Sequence, residues 1–292
     1  MTVKLGYRPP FDWDRMIAFL AARAVEGVEL VEPSRYARTI AVLGAYGSVT
    51  VKPGVGQLIA TIRFPDVRAL LGIVARLRRL FDLDADVTSI GAHLSKDRTL
   101  APLVAKRPGL RAPGGWDGFE LAVRAILGQQ VTVAAARKLA GQLTALTSPV
   151  LLPDVTGEER LLAVFPDATS LASANIAQLG MPAVRLKSLK ALASASCADP
   201  SLLDPRGGLE ETVARLVALP GFGAWTAQYW ALRMLRDGDA FPAADVALLR
   251  ALEEGAVRPT AKMLLSRAEA WRPWRAYAAQ HLWAHDAEQS RA

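Results

Sequence analysis

The sequence predicts an α+β protein in which a small antiparallel β-sheet with one helix precedes an all-helical region of two subdomains. Three observations support this fold class. Residues 1–64 carry short alternating runs, the chain from Pro65 onward follows the 3.6-residue helical period, and glycines and prolines mark the connections. At roughly 150 residues per domain, 292 residues suggest two domains, which we place at residues 1–90 and 91–292.

The N-terminal region combines alternating or β-branched runs, which predict strands, with one helical segment. Within Asp12–Ala24, the apolar residues Met16, Ile17, Phe19 and Leu20 recur at helical spacing. The predicted strands are Val3–Tyr7, Val28–Val31, Tyr36–Leu43, Ser48–Lys52 and Leu58–Phe64.

Amphipathic helical patterns fill most of the remaining chain. The predicted helices are Asp66–Phe81, Trp116–Leu127, Val131–Leu146, Pro182–Ala195, Leu209–Ala218, Ala224–Leu235, Val246–Glu254, Ala261–Ala270 and Pro273–Ala287. Lys106–Gly115 and Pro149–Gly157 interrupt the pattern, and each is expected to be a linker or a long surface loop. A cleft between the helical subdomains would suit a ligand.

Composition excludes several classes of protein. The single cysteine, Cys197, rules out an intrachain disulfide and any cysteine-ligated iron–sulfur or zinc site. The N-terminus has no signal-like apolar run, and no segment approaches the ~20 apolar residues of a membrane span, so we expect a cytosolic protein without membrane association. The formal net charge of +7 favours an anionic partner such as nucleic acid, although many basic proteins are simply soluble.

The most specific motif is Leu219–Ala227 (LPGFGAWTA), which lies between two predicted helices. Pro220 fixes one φ, while Gly221 and Gly223 permit a tight hairpin whose amides no side chain obstructs. A helix begins directly afterwards, so its free N–H groups lie beside the hairpin, an arrangement suited to one phosphate. An ordinary helix–helix turn with convenient glycines is the alternative interpretation.

A second motif, Gly238–Asp245 (GDAFPAAD), is a Gly/Pro-rich loop that ends in an aspartate just before another helix. A hairpin followed by a Gly/Pro-rich loop and an aspartate resembles the signature of the helix-hairpin-helix DNA glycosylase superfamily. The resemblance to its inducible 3-methyladenine DNA glycosylase II (AlkA-like) family extends over nearly the whole chain. It is carried by Pro9–Val25, Phe119–Val133, Leu179–Pro182 and Trp271–Trp283.

This resemblance implies a helix-hairpin-helix glycosylase domain after the N-terminal domain, and a monofunctional enzyme of base excision repair. Such an enzyme flips N-alkylated purines of the 3-methyladenine type out of duplex DNA and hydrolyses their glycosidic bond, leaving an abasic site. It implies a monomer in the bacterial cytosol that needs no redox cofactor.

One departure bears on the mechanism. Bifunctional superfamily members carry a lysine where this chain has Trp225, so a Schiff-base route to strand cleavage is not supported. Two alternatives remain open: a non-catalytic helix-hairpin-helix DNA-binding protein and a bifunctional oxidised-purine glycosylase-lyase.

The expected active-site residues centre on Asp245, which is either an ordinary helix N-cap or a carboxylate that stabilises the developing oxocarbenium charge or orients water. Trp225 and Tyr229, at i and i+4, share a helix face, which belongs either to the core or to a π-rich wall for a cationic flipped base. By resemblance, Trp283 and Phe19 complete this pocket. Val246 stands where the best-known family member has tyrosine, which leaves one wall less aromatic.

The expected DNA contacts lie on neighbouring segments. Gln130 matches the family's intercalating position, where the best-known member has leucine, and Thr226 would add its hydroxyl to the phosphate grip of Gly221 and Gly223. Arg185 and Lys187 open a helix and would contact the DNA backbone. By analogy with relatives, a monovalent cation, Na⁺ or K⁺, would bind the backbone carbonyls of Val217, Leu219 and Phe222.

Overall fold

The N-terminal sheet has five antiparallel strands in the order β1-β5-β4-β3-β2. The computed structural model describes residues 1–253, 255 and 257–289. All five predicted strands are confirmed to within a few residues. They are β1 (Thr2–Gly6), β2 (Glu29–Glu32), β3 (Arg35–Val42), β4 (Ala45–Gly54) and β5 (Gln57–Arg63).

The predicted first helix is confirmed as α1 (Trp13–Arg23), which begins where the Asp12 carboxylate accepts the Arg15 amide at 3.0 Å. Its residues Met16, Ile17 and Leu20 are buried in one apolar core with the sheet and with α2 (Leu70–Leu80). Phe19 is not part of this fully buried set, and its half-buried ring packs at the edge of the core.

The rest of the chain is helical, which confirms the α+β class. Its helices are α3 (Val87–Leu94), α4 (Leu100–Lys106), α5 (Gly118–Leu127), α6 (Val133–Thr147), α7 (Pro153–Thr156), α8 (Ala168–Ser173), α9 (Ala183–Ala198), α10 (Leu209–Val217), α11 (Ala224–Trp230), α12 (Val246–Ala251), α13 (Ala261–Ala268) and α14 (Arg275–Gln289). The helix predicted over Val246–Glu254 ends at Ala251, and Glu254 lies outside the described residues. In the part of the chain that the structure describes, none of the helices has the length and apolar character of a membrane span.

Sequence periodicity missed the short helices α3, α4, α7 and α8. Each has four to eight residues, too few turns to show an apolar stripe. Capping would have been a better signal, because the carboxylates of Asp86 and Asp167 accept the amides of Ser89 and Ser170 at the starts of α3 and α8.

The segment Lys106–Gly115 is not a surface loop, and that alternative was wrong. Residues 109–115 are all buried. Two of their backbone amides are paired inside the protein: the Gly114 amide donates to the Leu80 carbonyl and the Gly115 amide to the Arg233 carbonyl, both at 3.0 Å. The stretch therefore connects the N-terminal core to the helical region. Pro149–Gly157 contains the short helix α7 and an isolated bridge from Val150 to Ala163.

Two apolar cores divide the helical region, and α11 with the π-helical turn after it contributes to both. Trp230 and Met234 belong to the first core, whereas Ala231 and Leu232 belong to the second. The π-helical turn spans Ala231–Leu235. The chain from α11 through this turn therefore joins the two cores. The domain boundary near residue 90 stays a prediction.

Candidate active site

Asp245 caps helix α12 and is half-buried. Its Oδ1 accepts the amides of Ala247 at 3.0 Å and Leu248 at 3.2 Å. These two bonds fix the carboxylate relative to the helix start, as expected for an N-cap. The N-cap interpretation therefore describes its geometry correctly, and two further contacts distinguish it from an ordinary cap.

Two tryptophans donate to the same carboxylate. The indole Nε1 of Trp283 lies 3.0 Å from Oδ1, and that of Trp225 lies 2.8 Å from Oδ2. Oδ1 thus accepts three hydrogen bonds and Oδ2 one, so Oδ2 keeps lone-pair capacity for a further partner. Hydrogen bonds to both oxygens fix the orientation of the carboxylate.

The rings of Trp225, Tyr229 and Trp283 form a continuous aromatic surface beside this carboxylate. Trp225 stacks on Tyr229 at a centroid distance of 5.3 Å and an interplanar angle of 10°, which confirms that the i and i+4 rings share a face. Trp283 meets Tyr229 edge-on at 6.2 Å. A planar ligand cannot enter between Trp225 and Tyr229, because the two rings already stack on each other, so it must use an outer ring face.

A buried arginine, Arg233, contacts both Phe19 and this aromatic surface, and it was not singled out from the sequence. The guanidinium carbon of Arg233 lies 4.4 Å from the Phe19 centroid, 4.7 Å from that of Tyr229 and 5.4 Å from that of Trp283. A second guanidinium, that of Arg23, lies 3.8 Å from the Phe19 centroid. The ring of Phe19 is therefore already engaged by two protein cations.

The two arginines change the electrostatics of the aromatic surface. Burial would raise the pKa of the Tyr229 phenol, but the positive charges of Arg233 and Arg23 and their hydrogen bonds to it outweigh that effect and lower its pKa. Burial lowers the pKa of Arg233 to about 10, so its guanidinium stays charged at neutral pH.

The predicted hairpin lies at the start of α11, with Gly221 and Gly223 both exposed. Only Gly221 needs glycine for its backbone, because its φ is +85° and a Cβ there would overlap the Ser188 side chain. Gly223 is the N-cap of α11 at φ −87°, and a Cβ there would meet open space.

Gln129, which was not singled out from sequence, joins the hairpin to the turn after α5. Its side-chain amide donates to the Gly221 carbonyl at 2.8 Å and to the Thr226 hydroxyl at 3.1 Å. Thr226 is 2% exposed, so the expected phosphate contact from its hydroxyl is wrong, and this hydroxyl supports the hairpin from inside. The guanidinium of Arg185 donates to the Gln129 carbonyl at 3.0 Å.

The remaining predicted DNA contacts lie around this junction. Gln130 is exposed at the tip of the turn with a φ of +57°, and Lys187 is exposed on the first turns of α9. Of the three carbonyls proposed for a cation, that of Leu219 also accepts the Phe222 amide at 3.0 Å and keeps one lone pair.

Two groups of predicted residues are thus held by neighbouring faces of α11. Trp225 and Tyr229 contact the Asp245 side, whereas Thr226 contacts Gln129 and the hairpin. The missed arginines had a spacing signal, since Arg23 follows Phe19 by four residues and Arg233 follows Tyr229 by four. Val246, next to Asp245, is 61% exposed and leaves this side of the carboxylate open.

Comparison with known proteins identifies relatives along the whole chain. Residues 2–117 match the family model of the AlkA N-terminal domain. The chain is 38% identical, over 97% of its length, to the probable bifunctional transcriptional activator/DNA repair enzyme AlkA of Mycobacterium tuberculosis. It spans only 56% of that relative. It is 37% identical to the DNA-3-methyladenine glycosylase 2 of Escherichia coli, with 96% of this chain and 95% of that protein covered.

A solved structure shares the fold over the full chain. The 3-methyladenine DNA glycosylase from Archaeoglobus fulgidus superimposes with a TM-score of 0.84 at 19% sequence identity, with 99% of this chain and all of that chain covered.

Proposed function

The chain belongs to the AlkA family of DNA glycosylases, and from this premise we propose that it hydrolyses the N-glycosidic bond of N-alkylated purines in duplex DNA. The proposed substrates are of the 3-methyladenine type, and the products are the free base and an abasic site. The enzyme is proposed to act as a monomer in the bacterial cytosol, away from membranes and without a cofactor.

The single observation that carries this proposal is the Asp245 carboxylate, held by two indole N–H groups at the edge of an aromatic surface. A cap alone would need only the two amides of α12. The indole donors orient the carboxylate further and leave capacity on Oδ2, as expected of a group that faces a developing positive charge.

In the proposed mechanism, the damaged nucleotide leaves the duplex and its base stacks on an outer face of the aromatic surface. The bond from C1′ to the base nitrogen breaks, both electrons go to the base, and Asp245 stabilises the oxocarbenium-like sugar. Water then adds to C1′ and releases a proton. A purine methylated at N3 or N7 is cationic and leaves as a neutral molecule, so it needs no general acid.

DNA binding is proposed to use the exposed hairpin of Gly221 and Gly223, the tip residue Gln130, and Arg185 with Lys187. The hairpin amides would receive one phosphate, and Gln130 would fill the gap that the flipped nucleotide leaves. A Na⁺ or K⁺ ion on the carbonyls of Val217, Leu219 and Phe222 would be structural and would take no part in bond cleavage.

Base release from methylated duplex DNA tests the proposed function. We expect free alkylated purines, abasic sites that break only on alkaline treatment, and no covalent adduct with borohydride. A folded protein that binds the DNA but releases no base would support the non-catalytic alternative. A borohydride-trapped adduct would support the glycosylase-lyase alternative, which requires an amine nucleophile.

The indole donors allow a matched comparison of Trp225→Phe with Trp283→Phe. Both changes keep a ring and remove one N–H group. We expect Trp225→Phe to slow single-turnover excision about 10- to 100-fold, since hydrogen bonds to charged groups contribute about 1.5–3 kcal/mol and Oδ2 has this one indole donor. Trp283→Phe should cost less, because Oδ1 keeps two backbone donors. Equal losses would contradict this division of roles.

Gln129→Leu tests the connection between the hairpin and the turn after α5. The change leaves two acceptors without their donor and should lower the free energy of unfolding by about 1–3 kcal/mol. Excision should also slow, because the hairpin and the Gln130 tip lose their shared support. Gln130→Ala is the control: at an exposed position it should slow excision while changing stability by less than about 0.5 kcal/mol. If thermal melts show the two variants equally stable, the supporting role is refuted.

A further inference from the structure

Arg233 is a buried cation that the proposed mechanism does not use. It is 2% exposed, yet its guanidinium faces the rings of Phe19, Tyr229 and Trp283 at 4.4 to 5.4 Å. Nη1 donates to the Pro113 carbonyl at 2.6 Å, and Nε has no partner among the described residues. Its further hydrogen-bond partner is the Tyr229 hydroxyl, and no carboxylate forms an ion pair with it among the described residues. Burying a charge that no carboxylate pairs with is costly, and a function that requires the charge accounts for that cost.

None of the groups that act most strongly on the Arg233 charge is a carboxylate. After burial, the groups that act most strongly on Arg233 are Tyr229 and a second cation, Arg23. Arg23 is half-buried and lies against the same Phe19 ring at 3.8 Å. The aromatic surface therefore separates a negative carboxylate, Asp245, from two positive guanidiniums.

Lesions differ in the charge of the base as it leaves. A cationic base, methylated at N7 or N3, accepts the electrons of the broken C1′–N bond and departs neutral. An uncharged lesion accepts the same electrons and departs as an anion. Water adds its oxygen to C1′ and releases one proton, and the anionic base later takes one proton from solvent. A fixed cation near the base stabilises only the second kind of departure.

Building on the proposed function, we infer that Arg233 is a specificity-determining residue, which supports the excision of uncharged purine lesions by stabilising the departing anion across the aromatic surface. The same charge disfavours cationic bases at that surface and opposes their attraction to the ring faces. The Arg233 charge therefore raises the rate of release of uncharged lesions relative to that of cationic lesions.

The test compares Arg233→Met with Arg233→Lys and the wild-type protein. Single-turnover rates are measured on duplexes with one hypoxanthine and on duplexes with one 7-methylguanine. We expect Arg233→Met to slow hypoxanthine release at least ~10-fold more than 7-methylguanine release. Arg233→Lys is compared with wild type at pH 6, where a lysine whose pKa burial has lowered still carries its charge, and it should keep the ratio of the two rates within about threefold of wild type. An equal loss on both substrates would mean a purely structural role and would overturn the inference.

Arg23→Met keeps the inference testable if Arg233→Met does not fold, because Arg23 is half-buried and its loss should be better tolerated. It should shift the rate ratio in the same direction, and an unchanged ratio would contradict the inference. Wild-type release of 7-methylguanine separates this result from a failure of the proposed function. If wild type releases that base and the variants leave the ratio unchanged, the inference alone fails.

Discussion

Replacing Asp245 with asparagine is expected to slow single-turnover base excision at least ~100-fold while leaving the fold and DNA binding in place. An amide cannot offset the positive charge that develops on the sugar. Since Oδ1 accepts three hydrogen bonds, the amide oxygen should take that place, and the NH₂ group would then face the Trp225 indole N–H.

In Asp245→Asn the new NH₂ group and the Trp225 indole N–H are two donors that face each other, and a second substitution can remove this unfavourable contact as a control. Adding Trp225→Phe to Asp245→Asn removes the facing N–H group and should recover stability in thermal unfolding, yet excision should stay lost. The rates are measured on DNA methylated in vitro, with binding followed separately on an uncleavable duplex. Near-normal turnover in Asp245→Asn would end the catalytic assignment.

A valine at position 221 should weaken binding to all DNA sequences alike, at least ~10-fold, and should reduce the slope of affinity against salt by about one. Gly221 has a φ of +85°, which valine adopts with strain of order 1–3 kcal/mol, and its side chain would overlap that of Ser188. The hairpin would have to move, and its amides would lose their phosphate.

Gly223→Ala is the matched control, because the neighbouring glycine has a φ of −87° and open space at its Cβ position. This variant should fold normally and unfold at the wild-type temperature. Binding loss confined to particular sequences in Gly221→Val would argue against a phosphate contact. Equal stability losses in the two variants would show that backbone strain at 221 is not the cause.

Much of the fold could be predicted because its signals are local. Alternation along the five strands and capping by Asp12 each depend on a few adjacent residues. The position of Asp245 before a helix follows from the motif Gly238–Asp245. The segment 109–115 was misassigned because prolines and glycines also occur where backbone packs closely in a core. Its burial depends on partners such as Leu80 and Arg233, which are distant in sequence.

The site was predicted as a set of residues but not as a network. The i and i+4 spacing of Trp225 and Tyr229 correctly placed both rings on one face. Nothing local showed that the indoles would donate to Asp245, or that Thr226 would turn inward to Gln129. The arginines were overlooked because charged residues on a helix are usually solvated, whereas Arg233 is 2% exposed.

Affinity for a charged sugar mimic tests most directly whether Asp245 faces the anomeric centre. Two duplexes are compared, one with a neutral tetrahydrofuran abasic site and one with a pyrrolidine whose nitrogen is cationic. Wild-type protein should bind the cationic site at least ~10-fold more tightly, and Asp245→Asn should remove that preference. Equal affinity of the wild-type protein for both duplexes would contradict the placement of this carboxylate against the sugar.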